Sequence, residues 1–365
     1  MENTKAIIGA GGTGGHLFPA IAVAEEFNKQ TGGGFKAFFV GNSEKLEARV
    51  VPASGYSFTP IPIRGFGGLL SISTLSLPFK IIKSLGIVRR IIKTEKPDFA
   101  LCTGAYISYP VGIAASQMGI PLVLMESNVA PGKTIKMLST KADLIITSFD
   151  ATKQYFAPEA QSKVICLGNP LRKMFDNVPS QADARKQFGL DPEKKTVLIF
   201  GGSLGARAIN NAARSSFDEL KDSNIQFLWQ TGKDYKLSGS PLPPNVKMLE
   251  FIDDMGAAYA AADLVIARSG ATTVAELCYA AKPSVLVPLP SASNNEQEAN
   301  AEELKNSNAA IIIRNNEIGE KLGNAIFTLI NAEQKLNNMA KAAGNLARKN
   351  AAKDSVEKIK GMIKR

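Results

Sequence analysis

The chain has 365 residues, of which 45% are hydrophobic and 21% charged, a composition typical of a globular protein with about two domains. Its single histidine, His16, excludes metal sites built on two histidines. Its three cysteines form no CxxC pair, which excludes a zinc ribbon and disfavours a disulfide framework. The formal net charge of +10 favours an anionic partner: nucleic acid, anionic lipid or a phosphorylated small molecule. With no secretory signal and no run of ~18 apolar residues, we expect a cytoplasmic protein, soluble or peripheral to a membrane.

Strand and helix patterns alternate along the first half of the chain. Short apolar runs bounded by glycine or polar residues predict strands at 5–10, 35–40, 99–102, 122–125 and 144–147. After the first of these, apolar residues recur every three to four positions and predict one buried helix face, formed by Leu17, Ile21, Ala24 and Phe27. Such alternation predicts a parallel sheet that is covered on both faces.

The second half repeats the pattern, with strands predicted at 196–200, 225–230, 247–250, 264–267 and 284–288. In both halves a strand leads into a glycine turn that carries a hydroxyl group, and then into a helix. We therefore predict an α/β protein of two Rossmann-like domains that face a central cleft, residues 1–165 and 166–349. A polar helix at about 350–365 could pack back on the first domain.

The first glycine turn matches the dinucleotide fingerprint GxGxxG through Gly9, Gly11 and Gly14. That fingerprint also expects an acidic residue at the end of the second strand, where this chain reads Val40-Gly41-Asn42, so NAD binding is poorly supported. For either glycine loop alone, a tight packing turn is as good an explanation as a ligand site. Two such loops in one chain favour binding, with phosphate held by backbone N–H groups.

His16 directly follows the first glycine turn, at the start of the predicted helix. A lone histidine is more often structural than catalytic. Its position at the mouth of a ligand loop favours proton transfer, and a helix N-terminus keeps an imidazole neutral, as a base requires.

Two segments of the second half are rich in polar side chains. The spacing of Thr273 and Glu276 fits either a helix capping box or a ribose site in which the carboxylate accepts two hydrogen bonds from a diol. The run at 294–300 is either a solvated helix start or the lining of a sugar pocket.

Five segments together carry a family resemblance: residues 11–16, 168–172, 201–207, 251–255 and 268–276. In this order and spacing they resemble the MurG family of peptidoglycan N-acetylglucosaminyltransferases, over about residues 5–304. The resemblance implies the GT-B fold. It also implies an inverting transfer of GlcNAc from UDP-GlcNAc to undecaprenyl-pyrophosphoryl-MurNAc-pentapeptide (lipid I), which gives lipid II at the cytoplasmic face of the inner membrane.

The same resemblance implies roles for individual residues. His16 is the candidate base, and Glu126 is the second candidate catalytic residue. The implied donor-binding residues are Thr13, Gly14, Gly15, Asn128, Arg172, Ser203, Ile252, Ala271, Thr272, Thr273, Glu276 and Gln297, with Asn300 nearby. The implied acceptor side consists of Gly11, Gly12, Tyr106 and Ser127. The chain departs from the family, which usually has histidine or glutamine, at Met125, Ser127, Trp229 and Glu296.

No Asp-x-Asp motif is present, so we predict neither an essential metal nor another cofactor, and helix N-termini and Arg172 would stabilise the leaving diphosphate. A lipid acceptor implies membrane contact, and residues 48–94 contain no Asp or Glu. Basic and apolar side chains interleaved there predict a patch for an anionic membrane surface, or else an ordinary basic helix packed on the core. The predicted patch consists of Leu69, Leu70, Leu75, Leu77, Phe79, Lys80 and Lys83.

Three other functions compete with this hypothesis. A nucleotide-dependent oxidoreductase would use Gly9–Gly14, and the missing acid after Val40 counts against it. A nucleic-acid binder is the weakest alternative, because aromatic residues make up only 7% of the chain and no basic motif interleaves with them, so we expect no nucleic-acid partner. A transferase that makes a glycolipid on diacylglycerol is nearer, but the ordered motifs favour the peptidoglycan acceptor.

Overall fold

The computed structural model describes residues 3–63, 77–171, 175, 177–238 and 240–363, with the side chain of Ser293 left out. The chain divides into two compact units, of which unit 1 comprises residues 1–172 and 348–365 and unit 2 comprises residues 173–347. The predicted second domain begins at residue 166, seven residues before unit 2 begins. The difference arises because the strand Val164–Cys166 belongs to the sheet of unit 1.

Unit 1 is built on a seven-stranded parallel sheet in the order β3-β2-β1-β4-β5-β6-β7. The strands are β1 (Lys5–Gly9), β2 (Lys36–Gly41), β3 (Ser57–Pro60), β4 (Phe99–Cys102), β5 (Leu122–Glu126), β6 (Leu144–Thr147) and β7 (Val164–Cys166). The central strands β4, β5 and β6 are buried at every residue, as expected for a parallel sheet with helices on both faces.

Within the described residues, the helices between these strands are α1 (Gly14–Gln30), α2 (Leu46–Ala53), α3 (Leu77–Glu95), α4 (Ser108–Gln117), α5 (Lys133–Ser139) and α6 (Pro158–Gln161). A 3₁₀ turn spans Asp150–Tyr155. The predicted face of α1 is confirmed, since Leu17, Ile21, Ala24 and Phe27 are all buried in one hydrophobic cluster. A second cluster fills the opposite face of the sheet, under α3, α4 and α5.

Unit 2 repeats this plan with a six-stranded parallel sheet in the order β10-β9-β8-β11-β12-β13. Its strands are β8 (Lys195–Phe200), β9 (Ile225–Gln230), β10 (Val246–Leu249), β11 (Leu264–Ala267), β12 (Ser284–Leu286) and β13 (Ala310–Ile312). Its helices are α7 (Gln181–Gln187), α8 (Arg207–Glu219), α9 (Met255–Ala261), α10 (Ala271–Tyr279), α11 (Glu296–Asn306), α12 (Ile318–Ile330) and α13 (Glu333–Asn345).

The C-terminal helix α14 (Ala351–Ile363) returns to unit 1. Val356 and Ile359 are fully buried in the cluster that contains the apolar face of α1. Lys360 donates a hydrogen bond to Gln30 and lies 5.9 Å from the ring centroid of Phe27. The helix therefore packs on the first domain through both apolar burial and a cation–π contact.

The ten predicted strands are all present, and their ends agree with the predicted ends to within two residues. Three strands were not predicted: β3, β7 and β13. All three lie at the edge of a sheet, where one side has no neighbouring strand and burial is less complete. A strand that is less completely buried needs fewer apolar residues, so its apolar pattern is a weaker signal in the sequence.

Candidate active site

The predicted site residues of unit 1 lie in three loops, which follow β1, β4 and β5. Because the strands are parallel, these loops leave the same edge of the sheet, where ligands bind in open α/β folds. The loops are residues 10–13, 103–107 and 127–132. The first holds the glycine turn, the second packs against it, and the third begins at Glu126.

The His16 imidazole is fixed in one tautomer by a backbone contact. Its Nδ1 lies 2.8 Å from the carbonyl oxygen of Thr103, which can only accept, so Nδ1 carries the proton and Nε2 keeps its lone pair. The Thr103 hydroxyl donates back to the carbonyl of His16 at 2.7 Å. Burial lowers the pKa of His16 below 6.5, and the Thr103 hydrogen bond partly offsets that effect. The imidazole is therefore a neutral acceptor at neutral pH.

Glycine at position 104 lets the imidazole lie against the loop after β4. A side chain at Gly104 would come within 2.9 Å of ring atoms of His16, and the backbone there has a φ of +109° that favours glycine. Ala105 and Tyr106, which follow in the same loop, lie close to Gly12. The structure thus brings His16, Gly12 and Tyr106 together.

The side chain of Glu47, which was not predicted as a site residue, packs against the first glycine turn. Glu47, in α2, is fully buried and accepts a hydrogen bond from the Gly12 N–H at 3.0 Å. The acid expected by the dinucleotide fingerprint at the end of β2 is absent, but an acid from the next helix occupies the turn itself. This arrangement argues against a dinucleotide phosphate in the loop, because the Gly12 N–H that would donate to the phosphate already donates to the Glu47 carboxylate.

The remaining residues of the turn differ in exposure. Thr13 precedes α1 in an extended conformation, with an exposed side chain that makes no capping hydrogen bond. Gly14 and Gly15 form the first turn of the helix and are half-buried. A side chain at Gly14 would come within 2.9 Å of the Phe18 ring.

Glu126 closes the loop that follows β5. Its Oε1 accepts from the backbone N–H of Asn128 at 2.9 Å and from the Asn128 side chain at 3.1 Å, and its Oε2 accepts from the Gly132 N–H at 2.9 Å. The carboxylate is 2% exposed. These contacts favour a role in holding the loop, and the catalytic role stays a prediction.

The neighbours of Glu126 are buried as well. Ser127 donates to Asn169 at 3.1 Å, which joins the loop to the Gly168-Asn169-Pro170 segment after β7. The Asn128 carbonyl accepts from the Thr152 hydroxyl at 3.1 Å. Met125, one departure from the family pattern, is 1% exposed and belongs to the core, so it leaves the loop itself unchanged.

In unit 2 the glycine turn after β8 presents an exposed Ser203. Gly205 has a φ of +77°, and a side chain there would overlap the Thr231 carbonyl. The buried side chain of Gln230 bridges this turn to the loop after β10: it donates to the Gly202 carbonyl at 3.1 Å and accepts from the Ile252 N–H at 2.8 Å. Gln230 was not predicted as a site residue. Because its side chain already accepts the Ile252 N–H, the backbone group of Ile252 that could contact a ligand is the carbonyl.

Glu276 is the buried carboxylate of unit 2, in α10. The hydroxyl of Tyr259 donates to Glu276 Oε2 at 2.9 Å, and Tyr259 is itself fully buried against Phe175 and Phe200. Burial and the adjacent carboxylate raise the pKa of Tyr259 well above 10, so the tyrosine remains a donor. The capping-box interpretation is wrong, because α10 begins at Ala271 with Gly270 at its N-cap, and Glu276 pairs with Tyr259.

The first turn of α10 carries the other predicted donor residues. Ala271, Thr272 and Thr273 follow one another there, at a helix N-terminus that favours negative charge. The Thr272 hydroxyl oxygen is buried and has no hydrogen-bond partner among the residues that the structure describes. An unsatisfied buried hydroxyl at a helix start is suited to a ligand oxygen.

Gln297 and Asn300 lie on α11, beside the loop after β11. Gln297 Oε1 accepts from the Leu289 N–H at 3.0 Å, and its carbonyl accepts from the Ser269 hydroxyl at 2.7 Å. The fully buried Asn300 donates to the Ser269 carbonyl at 3.1 Å. Gln297 and Asn300 are therefore joined to Ser269, in the loop that leads from β11 into α10.

Two departures from the family pattern have different consequences. Trp229 is fully buried in the core of unit 2 and donates to Asn210 at 3.2 Å, so this departure does not alter the site. Glu296 begins α11 and is half-buried, and burial raises the pKa of its carboxyl above 4.5. It lies beside Gln297, and its effect on sugar recognition stays a prediction.

Part of the predicted membrane patch lies on α3. Phe79 is 77% exposed and Lys83 is exposed, whereas Leu77 and Lys80 are half-buried. Other apolar residues of the helix pack on the core of unit 1, as the alternative interpretation expects. The predicted residues Leu69, Leu70, Leu75 and Arg172 lie outside the described residues.

The described residues contain neither a candidate membrane span nor a candidate metal site. None of the helices described is long and apolar enough to cross a membrane. Within the same residues, no three His, Cys, Asp or Glu side chains form a group that could hold a metal ion. All three cysteines are free.

The fold and these two sets of loops match known glycosyltransferases. Residues 6–147 match the glycosyltransferase family 28 N-terminal domain, and residues 196–359 match the family's C-terminal domain. The crystal structure of Acinetobacter baumannii MurG is similar, with a TM-score of 0.77 and 31% identity over 98% of this chain and 99% of that one. A calicheamicin glycosyltransferase, at 14% identity and a TM-score of 0.70, shares the fold alone.

Curated relatives extend the match along the whole chain. A protein of Phocaeicola vulgatus is 39% identical over 95% of this chain and 93% of its own length, and one of Flavobacterium psychrophilum is 39% identical over 98% of each. Both are named UDP-N-acetylglucosamine--N-acetylmuramyl-(pentapeptide) pyrophosphoryl-undecaprenol N-acetylglucosamine transferase. The chain belongs to glycosyltransferase family 28, with the GT-B fold, and within it to the MurG transferases.

Proposed function

We propose that this enzyme transfers GlcNAc from UDP-GlcNAc to the muramyl sugar of undecaprenyl-pyrophosphoryl-MurNAc-pentapeptide, with inversion at the anomeric carbon. The curated relatives carry this activity in their names and align along the full chain. In the reaction a bond forms between an acceptor hydroxyl oxygen and the anomeric carbon. The bond from that carbon to the UDP oxygen breaks, and the acceptor proton passes to a base.

The tautomer of His16 is the observation that carries the assignment of this base. Its Nδ1 proton is committed to the Thr103 carbonyl, so the Nε2 lone pair is the one that can take a proton. The lowered pKa keeps the imidazole neutral. The acceptor side in this proposal is the set of loops around Gly12, Tyr106 and Ser127.

The donor is held by unit 2 in this proposal. The Glu276 carboxylate receives the ribose hydroxyls while the Tyr259 hydroxyl holds it in place. The diphosphate lies against the glycine turn that contains Ser203 and the N-terminus of α10, where backbone N–H groups and the helix dipole favour an anion. Gln297 contacts the sugar.

Leaving-group charge is stabilised by these N–H groups and by Arg172, so transfer needs no divalent metal. This proposal differs from a metal-dependent mechanism in a measurable way, because EDTA would abolish transfer only in the second case.

The acceptor lipid requires contact with a membrane. We place that contact at the exposed side of α3, where Phe79, Ile82 and Lys83 are exposed next to one another. Apolar side chains beside a cation suit the surface of an anionic bilayer. The enzyme is then peripheral, at the cytoplasmic face of the inner membrane.

A transfer assay tests the function directly. Purified enzyme is incubated with UDP-GlcNAc and a short-chain analogue of the lipid-linked muramyl-pentapeptide, with and without EDTA, and the disaccharide product is quantified by mass spectrometry. We expect equal product in both arms and none with a diacylglycerol acceptor. Absence of transfer by folded enzyme would overturn the function, and transfer lost only with EDTA would overturn its metal-free part.

A further inference from the structure

The buried carboxylate of Glu47 joins two loops of unit 1. Glu47 lies in the first turn of α2 and is 0% exposed. Its Oε2 accepts from the Gly12 N–H at 3.0 Å, and its Oε1 accepts from the Asn42 N–H at 2.9 Å. A buried carboxylate depends on such charge-assisted hydrogen bonds, so the two loops and the helix hold one another in place.

Two glycines make room for this carboxylate. A side chain at Gly11 would overlap the carboxyl group of Glu47, and one at Gly41 would come within 2.5 Å of its Cγ. Glycine is therefore required at both positions by the presence of Glu47, in addition to any demand of the backbone. The turn that resembles a nucleotide site is thus shaped around a side chain of the protein itself.

The contacts continue from Glu47 to the base. Gly12 is followed by Thr13, whose carbonyl accepts from the His16 N–H at 3.3 Å and the Leu17 N–H at 3.2 Å. The other side of the imidazole is fixed by Thr103. Glu47 thus anchors the chain just before α1, and the loop after β4 anchors the ring.

We propose that Glu47 is a positioning residue for transfer: by fixing Gly12 it holds the turn that aims His16 at the acceptor hydroxyl. The inference rests on the proposed function. A loosened turn would misplace the base by a fraction of an ångström to an ångström, which is enough to slow a reaction that depends on alignment. It would also admit water to the imidazole.

The test compares Glu47→Gln with Glu159→Gln, which removes the same charge from an exposed position of unit 1. We expect Glu47→Gln to lower kcat by about 10- to 100-fold while KM for UDP-GlcNAc changes by less than about twofold. Because water would relieve the desolvation of His16, the acid limb of the kcat/KM profile should move up toward pH 6.5. Glu159→Gln should match the wild type in all three.

Several outcomes would overturn the inference. Wild-type kcat and an unmoved acid limb in Glu47→Gln would do so, whereas failure of the wild type to transfer would instead overturn the proposed function. If Glu47→Gln loses UDP binding and shows no unfolding transition, the variant is not folded, and Glu47→Asp tests the positioning role instead. That variant keeps the charge but is one methylene shorter, and a folded Glu47→Asp with normal kcat and an unmoved acid limb would contradict the positioning role.

Discussion

The glycine turns after β1 and β8 look alike in sequence but are filled differently. In unit 1 the turn closes on the Glu47 carboxylate, which accepts a hydrogen bond from the Gly12 N–H. In unit 2 the turn closes on the backbone of the loop after β9, through Gly205 and Thr231, and leaves Ser203 exposed. In the proposed function, the first turn serves proton transfer and the second serves anion binding.

The difference teaches that a glycine pattern alone does not identify a phosphate site. In unit 1 the Gly12 N–H donates to a carboxylate that lies 35 residues away in sequence, on α2. In unit 2 the Gly205 N–H donates to the Gly202 carbonyl within the turn itself.

The largest effect should come from removing the base of unit 1. His16→Ala should lower kcat by about 10²- to 10⁴-fold, because general-base catalysis contributes that much, while KM for UDP-GlcNAc stays unchanged. Steady-state transfer rates check this expectation. A variant that retains most of kcat would show that His16 is not the base, and that the two turns are less specialised than we propose.

The pH dependence sharpens the same point. Since burial lowers the pKa of His16, kcat/KM should lose activity on the acid side only below pH 6.5. Unfolded chains take up the proton first, so the contribution of this group to folding stability is present above pH 6.5 and is lost as the pH falls below it. An acid limb above pH 6.5 in the wild type would contradict the environment described here.

A pair of glycine variants probes the turn of unit 2. Gly205→Ala would place a methyl group into the Thr231 carbonyl and must displace the turn, so kcat/KM for UDP-GlcNAc should fall about 100-fold. At Gly202, with a φ of +90°, a methyl group would have no heavy atom within 4 Å. Gly202→Ala should therefore cost only backbone strain, about 1–2 kcal/mol. Equal losses in the two variants would contradict the backbone packing as the cause.

Much of the fold was predictable because buried parallel strands consist mostly of apolar residues. β4, β5, β6 and β11 have these patterns, and their predicted bounds agree with the structure to within one residue. The glycine turns and His16 could also be placed, because parallel strands bring their carboxyl ends to one edge.

The residues that support the site could not be predicted in this way. Glu47, Gln230 and Tyr259 each contact a site residue or turn from another element, at separations of 17 to 35 residues from their partners. Their own neighbours in sequence give no signal, since a buried polar residue inside a helix or strand looks like an interruption of the apolar pattern. Their roles follow only from tertiary contacts.

The carboxylate of unit 2 should show a smaller, binding-type effect. Glu276→Gln should raise KM for UDP-GlcNAc by about 10- to 100-fold with little change in kcat, because a hydrogen bond to a charged acceptor is worth about 1.5–3 kcal/mol. Tyr259→Phe removes only the hydroxyl that holds Glu276 and should raise the same KM by about 2- to 10-fold. A fall in kcat without a change in KM would place Glu276 in catalysis. It would then contradict the proposed division between a catalytic unit 1 and a donor-binding unit 2.

The smallest effect concerns the surface of unit 1 rather than its turns. Lys83→Gln removes one exposed cation of α3 and should weaken binding to vesicles that contain anionic lipid by about fivefold, since each cation near such a surface contributes about 1 kcal/mol. Lys335→Gln in α13 of unit 2 is the matched control and should bind as the wild type does. Co-sedimentation at low and high salt measures both. If the two variants lose binding equally, attraction follows net charge alone, and the membrane contact does not belong to α3.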